Sequence, residues 1–269
     1  FIFKIIGNKN ASNLGDFIGK KIGPFFRSKS KIHNNLTNSN ICNSYENRKI
    51  LINNMWGNYG RILSEYVYLK KFRKNTLNKF LKIEGLDFLN EIKKKNEQVV
   101  FISGHFNNFE LMAMEIEKAG INLCAIYRPL NNPFLNIIME KIRRKYICKN
   151  QIKKGKSGTK KLLKLFRENF SVALMIDQRV SEGKSIKFFN RPAKTTTIPA
   201  QLVKKYNCRI VPVYIERICG LHFKLSFNKA IKFDQNLSTE QISLELNKLL
   251  EKMILKNPDQ WIWSHDRWK

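Results

Sequence analysis

The chain predicts an α/β fold with a mostly parallel central sheet flanked by helices. Three observations carry that expectation. From residue 80 onward, short apolar runs alternate with segments of helical periodicity. The runs are continuous Val/Ile/Leu stretches rather than polar–apolar alternations, as strands covered on both faces require. No repeat and no linker divides the 269 residues, a length that suits one sizeable core.

The elements follow in order. Residues 1–50 place Gly, Asn, Ser and Lys between short apolar patches and read as one or two amphipathic helices with a loop around Ser28–Asn43. Ile50, Leu51, Met55, Tyr59, Ile62, Leu63 and Tyr66 have helical spacing across 50–72. Val99–Ile102 reads as a strand and Phe109–Ala119 as a helix, then Leu123–Tyr127 as a strand and Pro133–Lys145 as a helix. Thr159–Glu168 is expected helical and Val172–Ile176 extended, followed by a helix over Ile198–Tyr206 and a strand over Ile210–Ile215. Phe223–Phe227 closes the strands and Thr239–Leu255 is the last helix. The expected organisation is a single domain over 1–269, helical in 1–75 and α/β in 76–269.

Composition bounds the function. A hydrophobic fraction of 43% with 12% aromatic residues belongs to a folded protein. The net charge of +29 favours an anionic partner: nucleic acid, anionic lipid or an acidic protein. Cys42, Cys124, Cys148, Cys208 and Cys219 form no C-x-x-C pair, and three lie in apolar runs, which suits a reducing compartment. His33, His105, His222 and His265 lack metal-ligand spacing, so no metal is expected. No run of 18 apolar residues is present.

Three expected strands end in a functional group: Val99–Ile102 leads to His105, Leu123–Tyr127 to Arg128, and Val172–Ile176 to Asp177. Parallel strands would gather all three at one sheet edge, where ligands of open α/β sheets bind. Glu110 follows His105 by five residues, about 500° of helical rotation, so the two meet only if His105 sits in a turn and the helix starts after it. Two readings of Glu110 then stand together. Asn107 as N-cap would put Glu110 at the third helical position of a capping box. As a dyad, His105 would take a hydroxyl proton while Glu110 holds the imidazole tautomer, and the adjacent helix N-terminus would offer N–H groups to an oxyanion. No G-x-S-x-G elbow is present, so direct transfer is simpler than a covalent intermediate. Asp177 also reads as a turn residue, and Arg128 as a solvated arginine. Gly155-Lys156-Ser157 is not a P-loop, because Asn150 stands where that motif needs Gly.

Ordered blocks carry a resemblance. Ser103-Gly-His-Phe-Asn-Asn-Phe-Glu110, Tyr127-Arg-Pro-Leu-Asn-Asn-Pro133, Asp177-Gln178, Phe188-Phe-Asn-Arg-Pro-Ala193 with Thr195, and Trp261-Ile-Trp-Ser-His-Asp-Arg-Trp-Lys269 occur in sequence. The chain resembles the lipid A biosynthesis acyltransferases, the late lauroyl/myristoyl transferases of Gram-negative bacteria. The resemblance implies a glycerol-3-phosphate-acyltransferase-like fold and transfer of an acyl chain from acyl carrier protein to a hydroxyl of a Kdo-linked lipid A precursor. It implies no cofactor beyond that donor. It places the enzyme at the cytoplasmic face of the inner membrane, with residues 1–75 membrane-associated and an anchor preceding residue 1. Its dyad carries onto His105 and Glu110, and its substrate-binding positions onto Arg128, Asp177, Asn107 within the first block, and Arg143 or its neighbour Arg144. The family usually has Gly where Asn190 and Asn107 stand. A glycerolipid acyltransferase shares the H-x4-E motif, but the C-terminal Trp-rich block speaks against it. A basic nucleic-acid-binding protein would show exposed aromatics among its Lys and Arg. Here the aromatics fall mostly in apolar runs, so no nucleic-acid partner is expected.

Overall fold

The computed structural model describes residues 2–42 and 44–269. Its first part is helical: α1 (Ile2–Ile5), α2 (Asn8–Ile22), α3 (Lys29–Ser39), α4 (Tyr45–Glu65) and α5 (Leu69–Arg73). Helix α3 occupies most of the expected loop over Ser28–Asn43. Its composition is polar, but Ile32 and Leu36 lie one turn apart and are buried. Asn35, also buried, donates to the carbonyls of Trp263 (2.7 Å) and His265 (2.5 Å). A partner more than two hundred residues away thus overrides weak local propensity. Asn43, the end of the expected loop, lies outside the described residues, as does Phe1. Helices α2 and α4 cross with backbones touching, and a Cβ on Gly60 would come within 1.8 Å of the Gly15 carbonyl oxygen.

The strands and remaining helices alternate: β1 (Leu81–Glu84), α6 (Leu86–Lys94), β2 (Val99–Ser103), α7 (Glu110–Lys118), β3 (Leu123–Tyr127), α8 (Pro133–Ile142), β4 (Asn150–Lys153), α9 (Lys156–Arg167) and β5 (Ser171–Met175). A hairpin of β6 (Lys184–Phe188) and β7 (Arg191–Thr195) comes next, then α10 (Ile198–Tyr206), β8 (Arg209–Cys219), β9 (His222–Phe227) and α11 (Thr239–Lys256). Seven strands form one sheet in the order β1-β9-β8-β2-β5-β3-β4. Every pair in it is parallel except the β8–β9 hairpin. The expected fold class is therefore the observed one.

Strand β2 lies between β8 and β5 and is buried at every residue, the burial its unbroken Val-Val-Phe-Ile run anticipates. Strands β1 and β4 were not anticipated. They are four-residue edge strands with polar side chains, and short polar edges are how sheets avoid pairing with other chains. Among the described residues, no helix is long and apolar enough to cross a membrane.

Candidate active site

The sheet order brings β2, β5 and β3 side by side with their carboxyl ends at one edge. The Ile176 N–H donates to the Ser103 carbonyl (2.9 Å), which fixes the register in which the two following residues, His105 and Asp177, meet. The His105 main-chain N–H donates to Asp177 Oδ2 (2.8 Å), and the ring Nδ1 lies 2.8 Å from Oδ1. Trp261 Nε1 donates to Oδ2 (2.9 Å), so a residue of the C-terminal block completes the carboxylate's shell. Asp177 is fully buried. Burial opposes its charge, but the imidazole charge and these hydrogen bonds outweigh it and hold the carboxyl down at about 2. Burial likewise opposes the imidazolium of His105, and Asp177, with a smaller contribution from Glu110, outweighs it and raises the imidazole above its ordinary value. The ring stands edge-on to Phe109 (4.8 Å, 72°). With Nδ1–H facing an anion, the proton-free nitrogen is Nε2, the arrangement of a general base.

Glu110 does not take the orienting role expected of it. Its Oε1 accepts from Arg143 Nε (2.8 Å) and Nη2 (2.6 Å) and from the Tyr66 hydroxyl. The carboxyl is buried. Burial, reinforced by Glu110, pushes the Tyr66 phenol well above its ordinary value and keeps it a donor. The capping box fails as well: Glu110 is the first helical residue, Phe109 precedes it with no side-chain cap, and Asn107 turns away. Asn107 is buried in the left-handed conformation (φ 41°), and its Nδ2 donates to Gln260 Oε1. A capping box is present instead at Ser238 and Gln241.

Arg143 rather than Arg144 faces the site. It opens a π-helical turn, Arg143–Ile147, that continues α8, and its guanidinium lies 5.9 Å from the Tyr127 ring centroid while Arg144 is exposed. Arg128 follows β3 as expected and is exposed, with no side-chain hydrogen bond or ion pair among the described residues. Structure thus joins His105 to Asp177 and Glu110 to Arg143, and leaves Arg128 open at the same edge. The turn after β2 also spends most of its own donors: the N–H groups of Phe106, Asn107, Phe109, Leu111 and Met112 are all given to carbonyls.

A family model described as bacterial lipid A biosynthesis acyltransferase matches residues 1–269. The chain belongs to that family. As one of these acyltransferases it is an enzyme that transfers acyl groups. Lipid A biosynthesis acyltransferase 2 of Shigella flexneri is 24% identical over 224 residues, covering 80% of this chain and 69% of that protein. The lipid A biosynthesis palmitoleoyltransferase of Escherichia coli K12 is 23% identical over 270 residues (95% and 84%). The lauroyltransferase of the same organism is 23% identical over 267 residues, with the same coverage. The crystal structure of the 1-acyl-sn-glycerophosphate acyltransferase PlsC from Thermotoga maritima superposes with a TM-score of 0.45 at 11% identity, covering 97% of this chain and 99% of that one. The fold class rests on the sheet topology itself.

Within the acyltransferase, the side chains to which the sequence gave no role are those that brace the turn after β2 and the segments around it. Glu65, fully buried at the end of α4, makes a two-pronged pair with Arg217 (2.7 and 3.1 Å) and accepts from Ser12 (2.8 Å) and Asn108 (3.1 Å). This ties the N-terminal helices, β8 and the His105 turn together. His265 accepts the Arg179 N–H at Nε2 (2.9 Å), and burial lowers it to about 4, so it serves as a neutral strut. Arg267, buried, donates to the Lys194 carbonyl (2.9 Å) and Thr195 Oγ1 (2.8 Å) and lies 4.6 Å from the Phe188 ring centroid. A long-range contact has no local periodicity. The available signal was the density of Trp, His and Arg in the last nine residues.

Proposed function

We propose that this acyltransferase moves a fatty acyl chain from acyl carrier protein to a hydroxyl of a Kdo-linked lipid A precursor, without a covalent acyl-enzyme. The observation that supports the step is the His105–Asp177–Trp261 arrangement, which leaves Nε2 as the basic atom. Nε2 takes the acceptor hydroxyl proton as that oxygen attacks the thioester carbonyl. The tetrahedral intermediate then expels the thiolate, which recovers the proton from the imidazolium. Asp177 holds the tautomer and stabilises the imidazolium. Glu110 keeps the half-buried Arg143 guanidinium and the Tyr66 phenol at the site. Its charge also favours the imidazolium. Exposed Arg128 is available to phosphate or carboxylate groups of either substrate. The excess of 50 Lys and Arg over 21 Asp and Glu suits an acidic carrier, a phosphorylated acceptor and an anionic membrane surface. Peripheral attachment to the cytoplasmic face of the inner membrane fits these partners.

The test is mass spectrometry of the product formed by the wild type and His105→Ala from acyl carrier protein thioester, with the Kdo-linked precursor and lysophosphatidate offered in parallel. Transfer to the precursor alone, lost in the variant, is expected. Transfer to lysophosphatidate alone would move the enzyme to glycerolipid synthesis, and wild-type-like turnover by His105→Ala would remove the base.

A further inference from the structure

Helix α8, Pro133–Ile142, packs only Ile142 against the core and turns most of its large apolar side chains outward. A surface helix ordinarily turns its apolar stripe to the core. Here Asn136 and Glu140, one turn apart, face the protein: Asn136 Nδ2 donates to Glu140 Oε1 (2.8 Å), and the same oxygen accepts from the Tyr127 hydroxyl. The outward side carries Phe134 (78% exposed), Leu135 (54%), Ile137 (53%) and Ile138 (54%), and no residue of the helix is buried. This helix leaves the strand end that bears Arg128, and Arg143 follows it directly. Both ends of the helix therefore lie next to residues of the active-site edge of the sheet.

The surroundings of this face are basic. Arg128, Lys141, Arg144, Lys145, Lys153 and Lys154 are exposed around it, and β3 pairs Tyr127 with Lys153, which brings the last two residues to the same edge. Between residues 121 and 155 the sole carboxylate is Glu140, which is held by Asn136 and the Tyr127 hydroxyl and offsets only Lys153 of this rim (3.4 Å). We propose that α8 is the docking surface by which the enzyme sits on an anionic bilayer, its four large side chains in the acyl boundary and the basic rim among the headgroups. The inference rests on the reading that the acceptor is a membrane glycolipid. An interfacial helix needs this pairing of an apolar face with Lys and Arg. A second copy of the chain is a poor occupant, because it would bring the same basic rim against itself. Docked in this way, the edge holding His105 meets the bilayer where the acceptor lies, and the acceptor need not leave the membrane.

The experiment is co-sedimentation of the full chain with phosphatidylethanolamine vesicles containing phosphatidylglycerol, against phosphatidylcholine vesicles. The variants are Ile137→Ser/Ile138→Ser and Phe134→Trp. Binding to the anionic vesicles is expected to weaken by about tenfold to a hundredfold in the double variant, since each withdrawn aliphatic side chain is worth roughly a factor of ten in partitioning. Its thermal unfolding should be unchanged, the replaced residues being exposed. The indole introduced by Phe134→Trp should be quenched by brominated lipid. Equal vesicle affinity of wild type and double variant would overturn the proposal. So would intact vesicle binding accompanied by loss of acyl carrier protein binding or a change in oligomeric mass, which would give the face to another protein. Vesicle binding is read without turnover. A chain that docks through α8 yet transfers no acyl group to the Kdo-linked precursor would remove that acceptor reading and leave the docking in place.

Discussion

Asp177 receives two hydrogen bonds from His105, one from the ring and one from the main chain, both at 2.8 Å. One bond would orient the imidazole. Two, with the Trp261 indole on the same carboxylate, lock the turn after β2 to the end of β5. The geometry depends on β2 and β5 being sheet neighbours, although 72 residues separate the histidine from the aspartate. Rigid adjacent strands hold this pair more accurately than the five-residue turn could hold Glu110.

Replacing Asp177 with Asn keeps the shape and removes the charge that selects the Nδ1–H tautomer. Turnover should fall by about 10³- to 10⁴-fold, the loss expected when a general-base histidine is left in the wrong tautomer. The wild-type pH profile gives a second readout. With His105 as the proposed base, turnover needs its neutral form, and the imidazole is raised above its ordinary value, so kcat/KM should climb with pH through a midpoint above 6.5. In Asp177→Asn the anion that raises the imidazole is gone, and the midpoint of the residual activity should move down. An unshifted midpoint with near-normal turnover would show that Asp177 does not act on the base.

Glu110→Gln should be costly to the fold rather than only to catalysis. The variant leaves the mostly buried Arg143 guanidinium, its side chain 14% exposed, without a counter-charge, and losing one partner of such a pair costs up to about 3 kcal/mol, against about 1 kcal/mol for a lost helix cap. Urea unfolding of Glu110→Leu, Arg143→Met and Glu110→Leu/Arg143→Met forms a double-mutant cycle, with Glu110→Gln measured beside it. The double variant is expected to recover much of the stability lost in Glu110→Gln, but not the rate. A Glu110→Gln variant as stable as wild type and slower would mean that the carboxylate serves the reaction and not the pair.

The long alternation of strands and helices was legible because burial of β2, β3 and β5 imposes unbroken apolar runs. Helix α10 falls on its expected bounds, Ile198–Tyr206. The convergence of His105, Arg128 and Asp177 was legible from strand ends alone, once the strands were taken as parallel. The pairing among them was not. Sequence proximity favoured Glu110 over Asp177 as partner to His105, whereas sheet order decides it. Likewise α3 and the bracing by Glu65, Trp261 and His265 depend on contacts between residues far apart in the chain, and no local pattern encodes such contacts.

Two departures from the family pattern have one backbone cause. The resemblance leads one to expect Gly at positions 190 and 107, and the asparagines there both adopt the left-handed conformation, Asn107 at φ 41° and Asn190 at 60°. Asn is a side chain that tolerates it. Asn190 follows Phe189 (φ 49°) at the tip of the β6–β7 hairpin, where two positive φ values mark a turn matched to strand twist. Asn190→Gly should therefore leave stability within about 0.5 kcal/mol of wild type, while Asn190→Val costs about 1–2 kcal/mol, because a branched residue resists positive φ. At Asn107 the balance has one more component. Glycine would remove the bond to Gln260 but also the buried Oδ1, which has no partner among the described residues. Asn107→Gly is expected within about 1 kcal/mol of wild type, and Asn107→Ala about 1–2 kcal/mol below it. Chemical denaturation of the four variants separates backbone from side chain. If Asn107→Gly proves as damaging as Asn107→Ala, the Gln260 contact and not the left-handed turn is what the position requires.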